Sequence, residues 1–247
     1  MIRVKKVTTI EELEDIEYSF PRGAKSPGAG KYWTPIPHFD LVNRIVDDCH
    51  RRSWATKSYT IALSNDKADM AFSLDIALPE LTVGGMLSLG LFNPNSQLRP
   101  MRAYIGVGGT LINRLPYYKK HTKAKNKKLE DIIKTMSLTI VRQFGEAAHN
   151  TKMALNRLKD KYIGTEDATR LFVLAAQENV VTWSRAGRAD RAFKENEDYS
   201  AWGCLVAFRE ALKMIYPINQ LDRAYRFRQI VEKTYSDKPT LLKIIGE

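Results

Sequence analysis

Across residues 54–63 and again across 68–77, apolar and polar side chains alternate, the period-two pattern of strands with one buried face. Ser64-Asn65-Asp66-Lys67 between them is hairpin chemistry. Residues 85–92 and 101–112 read as a second pair of strands, joined through the turn-rich Asn93-Pro94-Asn95-Ser96-Gln97. The pattern predicts a four-stranded antiparallel meander. Gly106, Gly108 and Gly109 fall inside its last strand, where they weaken it locally and point to a bulge or a close backbone approach.

Before the meander, residues 1–7 read as a short strand or arm, and residues 9–18 as a small acidic helix with Thr9 and Glu12 as a capping box. Residues 20–37 are rich in Pro and Gly and read as a loop. A helix follows over 38–53, because Phe39, Leu41, Val42, Ile45, Val46 and Cys49 recur at helical spacing.

From Asn126 the period changes. Leu129, Ile132, Ile133, Met136, Ile140, Phe144, Ala147, Leu155, Leu158 and Tyr162 sustain one apolar stripe, a long helix or two in line, with Gly145 as a candidate kink. Residues 165–183 read as another helix with Thr165 as N-cap, and helices over 201–215 and 221–235 are separated by Tyr216-Pro217. The predicted fold class is α+β: an antiparallel β-meander of about four strands followed by a long helix and a helical C-terminal part. The expected divisions are an N-terminal arm and loop over 1–37, a sheet and long-helix core over 38–164, and the helical part over 165–247.

Charge changes the picture more than length does. Of 247 residues, 39 are Lys or Arg and 28 Asp or Glu, a net charge of +11 that points to a polyanionic partner, nucleic acid before anionic membrane. No run approaches the roughly 18 apolar residues of a spanning helix. The acidic first twenty residues, with Glu11, Glu12, Glu14, Asp15 and Glu17, are unlike a signal peptide. Cys49 and Cys204 alone make neither a disulfide framework nor a zinc set, so a cytoplasmic location is expected.

The strongest local signal runs from Tyr117 through Lys128: six lysines, Lys119, Lys120, Lys123, Lys125, Lys127 and Lys128, with no acid in twelve positions. Such a segment suits phosphate contact, with Tyr117 and Tyr118 available to stack on bases; the alternative is a solvated linker. Arg185, Arg188, Arg191 and Lys194 form a second basic set at spacing of three, equally compatible with an exposed helical face. Arg223, Arg226, Arg228 and Lys233 are interleaved with Tyr225 and Phe227 at core-compatible positions, which favours a structural role. Arg99 and Arg102 flank the fourth strand, and Arg51, Arg52 and Lys57 the first. One sheet edge is therefore expected to carry a basic groove in which Trp54, Tyr59, Tyr104 or Tyr117 touch bases.

Catalytic templates fit poorly. Gly106-Val107-Gly108-Gly109-Thr110 lies in a predicted strand and is followed by no Lys-Ser or Lys-Thr pair, so it fails the phosphate-loop templates. His38, His50, His121 and His149 are dispersed. Asp66, Asp69 and Asp75 on the first hairpin are the one carboxylate set that could serve a Mg²⁺-dependent nuclease. No catalytic residue, cofactor or metal is assigned.

The order of features resembles a phage- and plasmid-encoded family, a domain of unknown function. The matching features are Pro37-His38 opening a helix, two hairpins, Asn95-Ser96 before a Gly-rich strand ending at Asn113, Lys120-His121-Thr122 opening a long helix, and a late segment over 202–213. Where that family tends to place a Cys before the final Asn of the strand, this chain has Ile112. In layout the chain is also similar to phage single-strand annealing proteins of the RecT, Red-beta and Erf kind. The resemblance implies homo-oligomeric rings or filaments that hold one strand of DNA along a basic groove without nucleotide hydrolysis. The expected function is ATP-independent binding and annealing of single-stranded DNA. The alternatives are a protein-interaction module, such as a phage inhibitor of host defence, and a metal-dependent nuclease.

Overall fold

Alternation does build a sheet, with six strands in place of four. The structure is a computed structural model that describes residues 5–7, 9–10, 12–14, 36–64, 67, 69–79, 86–95, 101–119, 128–213, 215 and 217–235. Most of the predicted 20–37 loop lies outside them. The chain divides into two compact units, Met1–Lys152 and Met153–Glu247. The sequence places the boundary after residue 164, so the last turns of the long helix are grouped with the helical part instead.

The first unit is a purely antiparallel meander in chain order: β1 (Lys5–Val7), β2 (Ala55–Leu63), β3 (Asp69–Ala77), β4 (Leu87–Pro94), β5 (Met101–Val107) and β6 (Thr110–Lys119). The two further strands are the N-terminal one, read in the sequence as a short strand or arm, and one that the predicted fourth strand hides. The N-terminal arm pairs with β2, Lys5 opposite Leu63 and Val7 opposite Ile61. The predicted fourth strand folds back on itself at Gly108-Gly109, whose φ angles of 54° and 76° are the double left-handed conformation of a tight hairpin turn. Gly106 is the close approach that its position implied, since a Cβ there would strike the Thr110 carbonyl. The strand predicted to end at Ile112 continues as β6 to Lys119 through Pro116, whose missing N–H is tolerated because β6 is an edge strand whose register with β5 slips between Arg102 and Tyr104.

The register separates the two faces. Ile61, Phe72, Leu91 and Ala103 lie across one face with Leu63, Met70, Leu74, Leu89 and Ile105, all essentially without solvent contact. The other face carries Ser58, Thr60, Ser73, Asp75, Ser88, Gly90 and Tyr104. Helix α1 (His38–His50) covers the apolar face with Leu41, Val42, Ile45 and Cys49. Helix α2 (Leu129–Asp160) is one continuous helix of 32 residues that buries Ile132, Ile133, Met136, Ile140, Val141 and Phe144. Gly145, a candidate kink in the sequence, makes room for Trp54: a Cβ there would meet Cη2 of Trp54 at 2.9 Å. Trp54 in turn packs on Phe144, ring centroids 6.0 Å apart.

Two buried polar networks tie α1 down. At its start, Asn93 Nδ2 donates to the Ile36 carbonyl at 3.0 Å and to His38 Nδ1 at 2.8 Å, while His38 Nε2 donates to the Lys67 carbonyl at 3.1 Å. Asn95 holds the same Ile36 residue through its amide and its carbonyl, at 2.9 Å each. At its end, the buried Asp48 carboxylate accepts from Ser137 Oγ of α2 at 2.7 Å and from Arg44 Nε at 3.3 Å. The Cys49 thiol is pushed up to about 12, by burial first and by Asp48 second, so it stays protonated.

The second unit is helical: α3 (Thr165–Gln177), α4 (Trp183–Asn196), α5 (Ala201–Leu212) and α6 (Pro217–Tyr235). The single helix predicted over 165–183 ends six residues early, because Asn179 takes a left-handed φ of 56° and Trp183 opens the next helix. Gly164 occupies the N-cap position assigned to Thr165, and Pro217 is the first residue of α6, where its missing N–H costs nothing. Each helix contributes one phenylalanine to the core: Phe172, Phe193, Phe208 and Phe227. Phe208 stacks on Phe227 at 3.8 Å, and Phe227 on Phe172 at 5.6 Å.

Protonation at His38 and backbone clearance at Gly203 each have a measurable consequence. Burial lowers the His38 pKa from 6.5 to about 4, against a smaller upward pull from its hydrogen bond to Lys67. As pH falls from 6.5 to 4, the unfolded chain takes up a proton that the folded chain refuses. Urea unfolding is therefore expected to lose about 3 kcal/mol over that window, and His38→Gln to remove this part of the loss. Gly203→Ala, whose Cβ would strike the Asp198 carbonyl, is expected to lower the melting temperature of the second unit by several degrees in calorimetry.

Candidate nucleic-acid interface

In a meander, successive connections alternate between the two ends of the sheet. The connections after β2, β4 and β6 consequently leave from one end, marked by Lys67, and those after β3 and β5 from the other, near Trp54. At the Lys67 end Met101 pairs with Lys119 and Arg102 with Tyr118. This brings Arg102 beside the start of the lysine-rich segment, although the two are distant in sequence. Arg102 is half-buried, and Lys128 is exposed at the start of α2, its carbonyl accepting from the Ile132 amide at 3.3 Å. Arg99, Lys120, Lys123, Lys125 and Lys127 lie outside the described residues, as do the side chains of Tyr117, Tyr118 and Lys119.

Arg114 joins this group without having stood out in the sequence. It is exposed on β6 opposite Tyr104, on the face that also carries Arg102. Its signal is the period-two spacing of Arg114 and Tyr118, legible only if the strand is carried past Pro116.

The expected single groove is not what the register builds. Arg51, Arg52 and Lys57 sit at the Trp54 end, three strands and five residues away from Arg102, a separation of about 20 Å. Lys57 is exposed at the register slip between Thr56 and Ser58. Arg51 lies 3.7 Å from Asp48, and the Arg52 guanidinium is 5.4 Å from the Trp54 ring centroid, so both also serve α1 and its turn.

Two expected base contacts are corrected. Tyr104 is 1% exposed and Trp54 5%, so neither ring is available for stacking. Tyr59 is exposed at 36%, and its hydroxyl accepts from the Ile10 amide at 3.1 Å. Asp75, one of the carboxylates considered for a metal, accepts from Ser58 Oγ and from Ser88 Oγ, each at 2.6 Å, and Ser88 Oγ accepts from the Gly109 amide at 3.0 Å. That chain of bonds crosses the polar face from β2 to the β5–β6 turn. Among the described residues no group of three or more His, Cys, Asp or Glu side chains is placed to hold a metal ion. Asp66 lies outside them.

In the second unit, Arg188 and Arg191 are exposed on α4 and line an open groove of about 830 Å³ against α5, with Glu195, Arg209, Glu210 and Lys213. Lys194 is paired with Asp190 at 2.7 Å, and Lys213 with Glu210 at 2.5 Å. The third basic set is structural, as its aromatic interleaving implied. Arg223 donates to the Val180 carbonyl at 2.5 Å, Arg226 to the Glu178 carbonyl at 2.9 Å, and buried Arg228 makes a two-point pair with Glu232. The first two bind carbonyls of the α3–α4 turn, at the C-cap residue Glu178 and at Val180 beyond it.

Comparison with family models, with curated proteins and with solved structures gives no match. The fold is α+β, a six-stranded antiparallel meander followed by helices, with Arg102 and Arg114 on β5 and β6 and Arg51, Arg52 and Lys57 toward the opposite end. Among the described residues no helix is long and apolar enough to cross a membrane.

Asp75→Ala is expected to cost about 1–3 kcal/mol by removing an acceptor from the buried Ser88 hydroxyl, with the same loss in the presence and absence of Mg²⁺ in thermal unfolding.

Proposed function

We propose that the protein binds single-stranded DNA without nucleotide hydrolysis and anneals it to a complement, as a homo-oligomeric ring or filament. The observation that carries this reading is the convergence of Arg102, Arg114 and the exit of the lysine-rich segment at one end of a six-stranded meander. A net charge of +11 supports a polyanionic partner, and lysine and arginine donors at a strand edge suit a phosphate backbone followed without base-specific contact. The likeness in layout to phage annealing proteins supplies the annealing step and the oligomer.

Fluorescence anisotropy of a labelled single strand across a salt series, with duplex as competitor, tests the reading. Salt-sensitive preference for the single strand is expected, and strand pairing should then be accelerated in a two-oligonucleotide assay. Replacing Lys119, Lys120, Lys123 and Lys125 by Ala should weaken binding and lower the salt slope by up to about 3, at roughly 0.7 for each phosphate no longer neutralised. Arg102→Ala with Arg114→Ala should weaken it further. Absence of binding at low salt, or full affinity in the four-lysine variant, overturns the reading.

A further inference from the structure

Many cations of the helical unit are engaged within it. Lys194 is paired with Asp190, Lys213 with Glu210 and Arg228 with Glu232, while Arg223 and Arg226 are fixed to backbone carbonyls. Arg188 and Arg191 on α4 differ. Both are exposed and neither forms an ion pair among the described residues; Arg191 Nε reaches only the Gly187 carbonyl one turn back, at 3.4 Å. Helical geometry gives the reason. Ala186, Ala189 and Phe193 turn into the core, which puts Arg188, Arg191 and Glu195, spaced by three and then four, on a flank of α4 away from it. Glu195 follows Arg191 by one turn without pairing with it, and an acid C-terminal to its cation is the less favourable order on a helix.

This flank is one wall of the open groove of about 830 Å³ between α4 and α5. The two helices are joined by the short 197–200 connection and form a helical hairpin in which Arg188 and Arg209 are equally far from the turn. Cation therefore faces cation across the groove, and Glu195 stands nearer the turn. Lys213 and Glu210 neutralise each other on the α5 side, so Arg188, Arg191 and Arg209 are set against Glu195 alone. Between the walls, Ala192 and Ala207 have short side chains that leave the groove its depth. A small molecule is held in a pocket that closes over most of its surface, whereas an open trough with cationic walls suits a flexible polyanion. Arg188 and Arg191 are about 4.5 Å apart in rise along α4, within reach of successive phosphates of one strand. A phosphodiester chain carries a charge at every unit whatever its sequence, and guanidinium forks match its oxygens.

We infer that the α4–α5 groove of the helical unit is a second single-strand contact, in which Arg188 and Arg191 hold neighbouring phosphates. It rests on the reading of the protein as a single-strand binder, and it uses no residue of the lysine-rich segment.

The test uses the full chain with Arg188→Ala and Arg191→Ala together. The control is Arg157→Ala with Lys159→Ala, which removes the same charge from exposed positions of α2 outside the groove. The probes are a labelled oligothymidylate, an abasic strand of equal length and labelled polyglutamate, each followed by anisotropy across a salt series. The groove variant is expected to bind oligothymidylate more weakly and to lower the salt slope by about 1.4, two phosphates at roughly 0.7 each, with the same loss on the abasic strand. The control should keep the wild-type slope. Unchanged affinity and slope in the groove variant, with wild-type binding intact, overturn this inference and leave the function reading standing. An equal loss in the control also overturns it, because net charge alone would then explain the effect. So does a loss that spares the abasic strand, since the contact would then be to bases. A loss confined to polyglutamate overturns it in favour of an acidic protein partner at the groove. Failure of the wild type to bind oligothymidylate at all overturns the function reading itself.

Discussion

The apolar face of the six-stranded sheet has to be taken out of water, and the rest of the sheet unit is arranged around that requirement. Ile61, Phe72, Leu89 and Ile105 span four strands of that face with almost no exposure. At about 25 cal/mol per Å² of apolar surface, burying such a face is the dominant favourable contribution available to the unit. It needs two helices, because one helix is only about 10 Å across and the sheet is six strands wide. Helix α1 lies between β1 and β2 in sequence and α2 follows β6, so helices from the two ends of the meander meet at Asp48 and Ser137. An acid buried at that seam would be strongly destabilising alone; hydrogen bonds from Ser137 and Arg44 make it tolerable. The His38, Asn93 and Asn95 network does the same at the other end of α1, with the shared hydrogens assigned by chemistry. The Lys67 carbonyl can only accept, so His38 carries its proton on Nε2 and Nδ1 accepts from Asn93.

The other face of the sheet is polar over β2 and β3, while over β4 and β5 it is buried as well, with Ser88, Phe92 and Tyr104 out of solvent. Serines, a threonine and Asp75 line it, and their mutual bonds consume the one carboxylate near its centre. That removes acid from the interior of the polar face and leaves cations at its rim. The parity of a meander then gathers the cations: the connections after β4 and β6 leave from the same end. The same parity sends Arg51, Arg52 and Lys57 to the opposite end, where Arg52 sits over Trp54 and Arg51 beside Asp48.

The helical unit is held differently, by four aromatic rings from four helices, with arginines bound to carbonyls of the turn after α3. Here charge serves packing first. Arg228 is held by Glu232 inside the unit, while Arg223 and Arg226 are bound to backbone carbonyls by one donor each. A positive charge at these backbone carbonyls also complements the negative end of the α3 dipole, where the C-cap residue is the acid Glu178 and the last turn has no basic residue of its own.

Periodicity alone determined the antiparallel meander, the first helix, the long helix and the helical C-terminal part, because apolar spacing of two or of 3.6 residues is a local property of the chain. Its limits were equally local. Gly108-Gly109 has the same composition whether it bulges a strand or reverses it, and only the pairing of Val107 with Thr110 decides for the turn. The predicted strand stops at Ile112, and only the edge position of β6 decides its reach through Pro116 to Lys119 and with it the place of Arg114. Composition determined that the chain is strongly basic; which cations stand together depended on strand order and register, which sequence spacing does not contain. Tyr104 and Trp183 show the difference most simply. Both are aromatic residues near arginines in sequence, and only tertiary packing decides that one ring is in the core and the other in water.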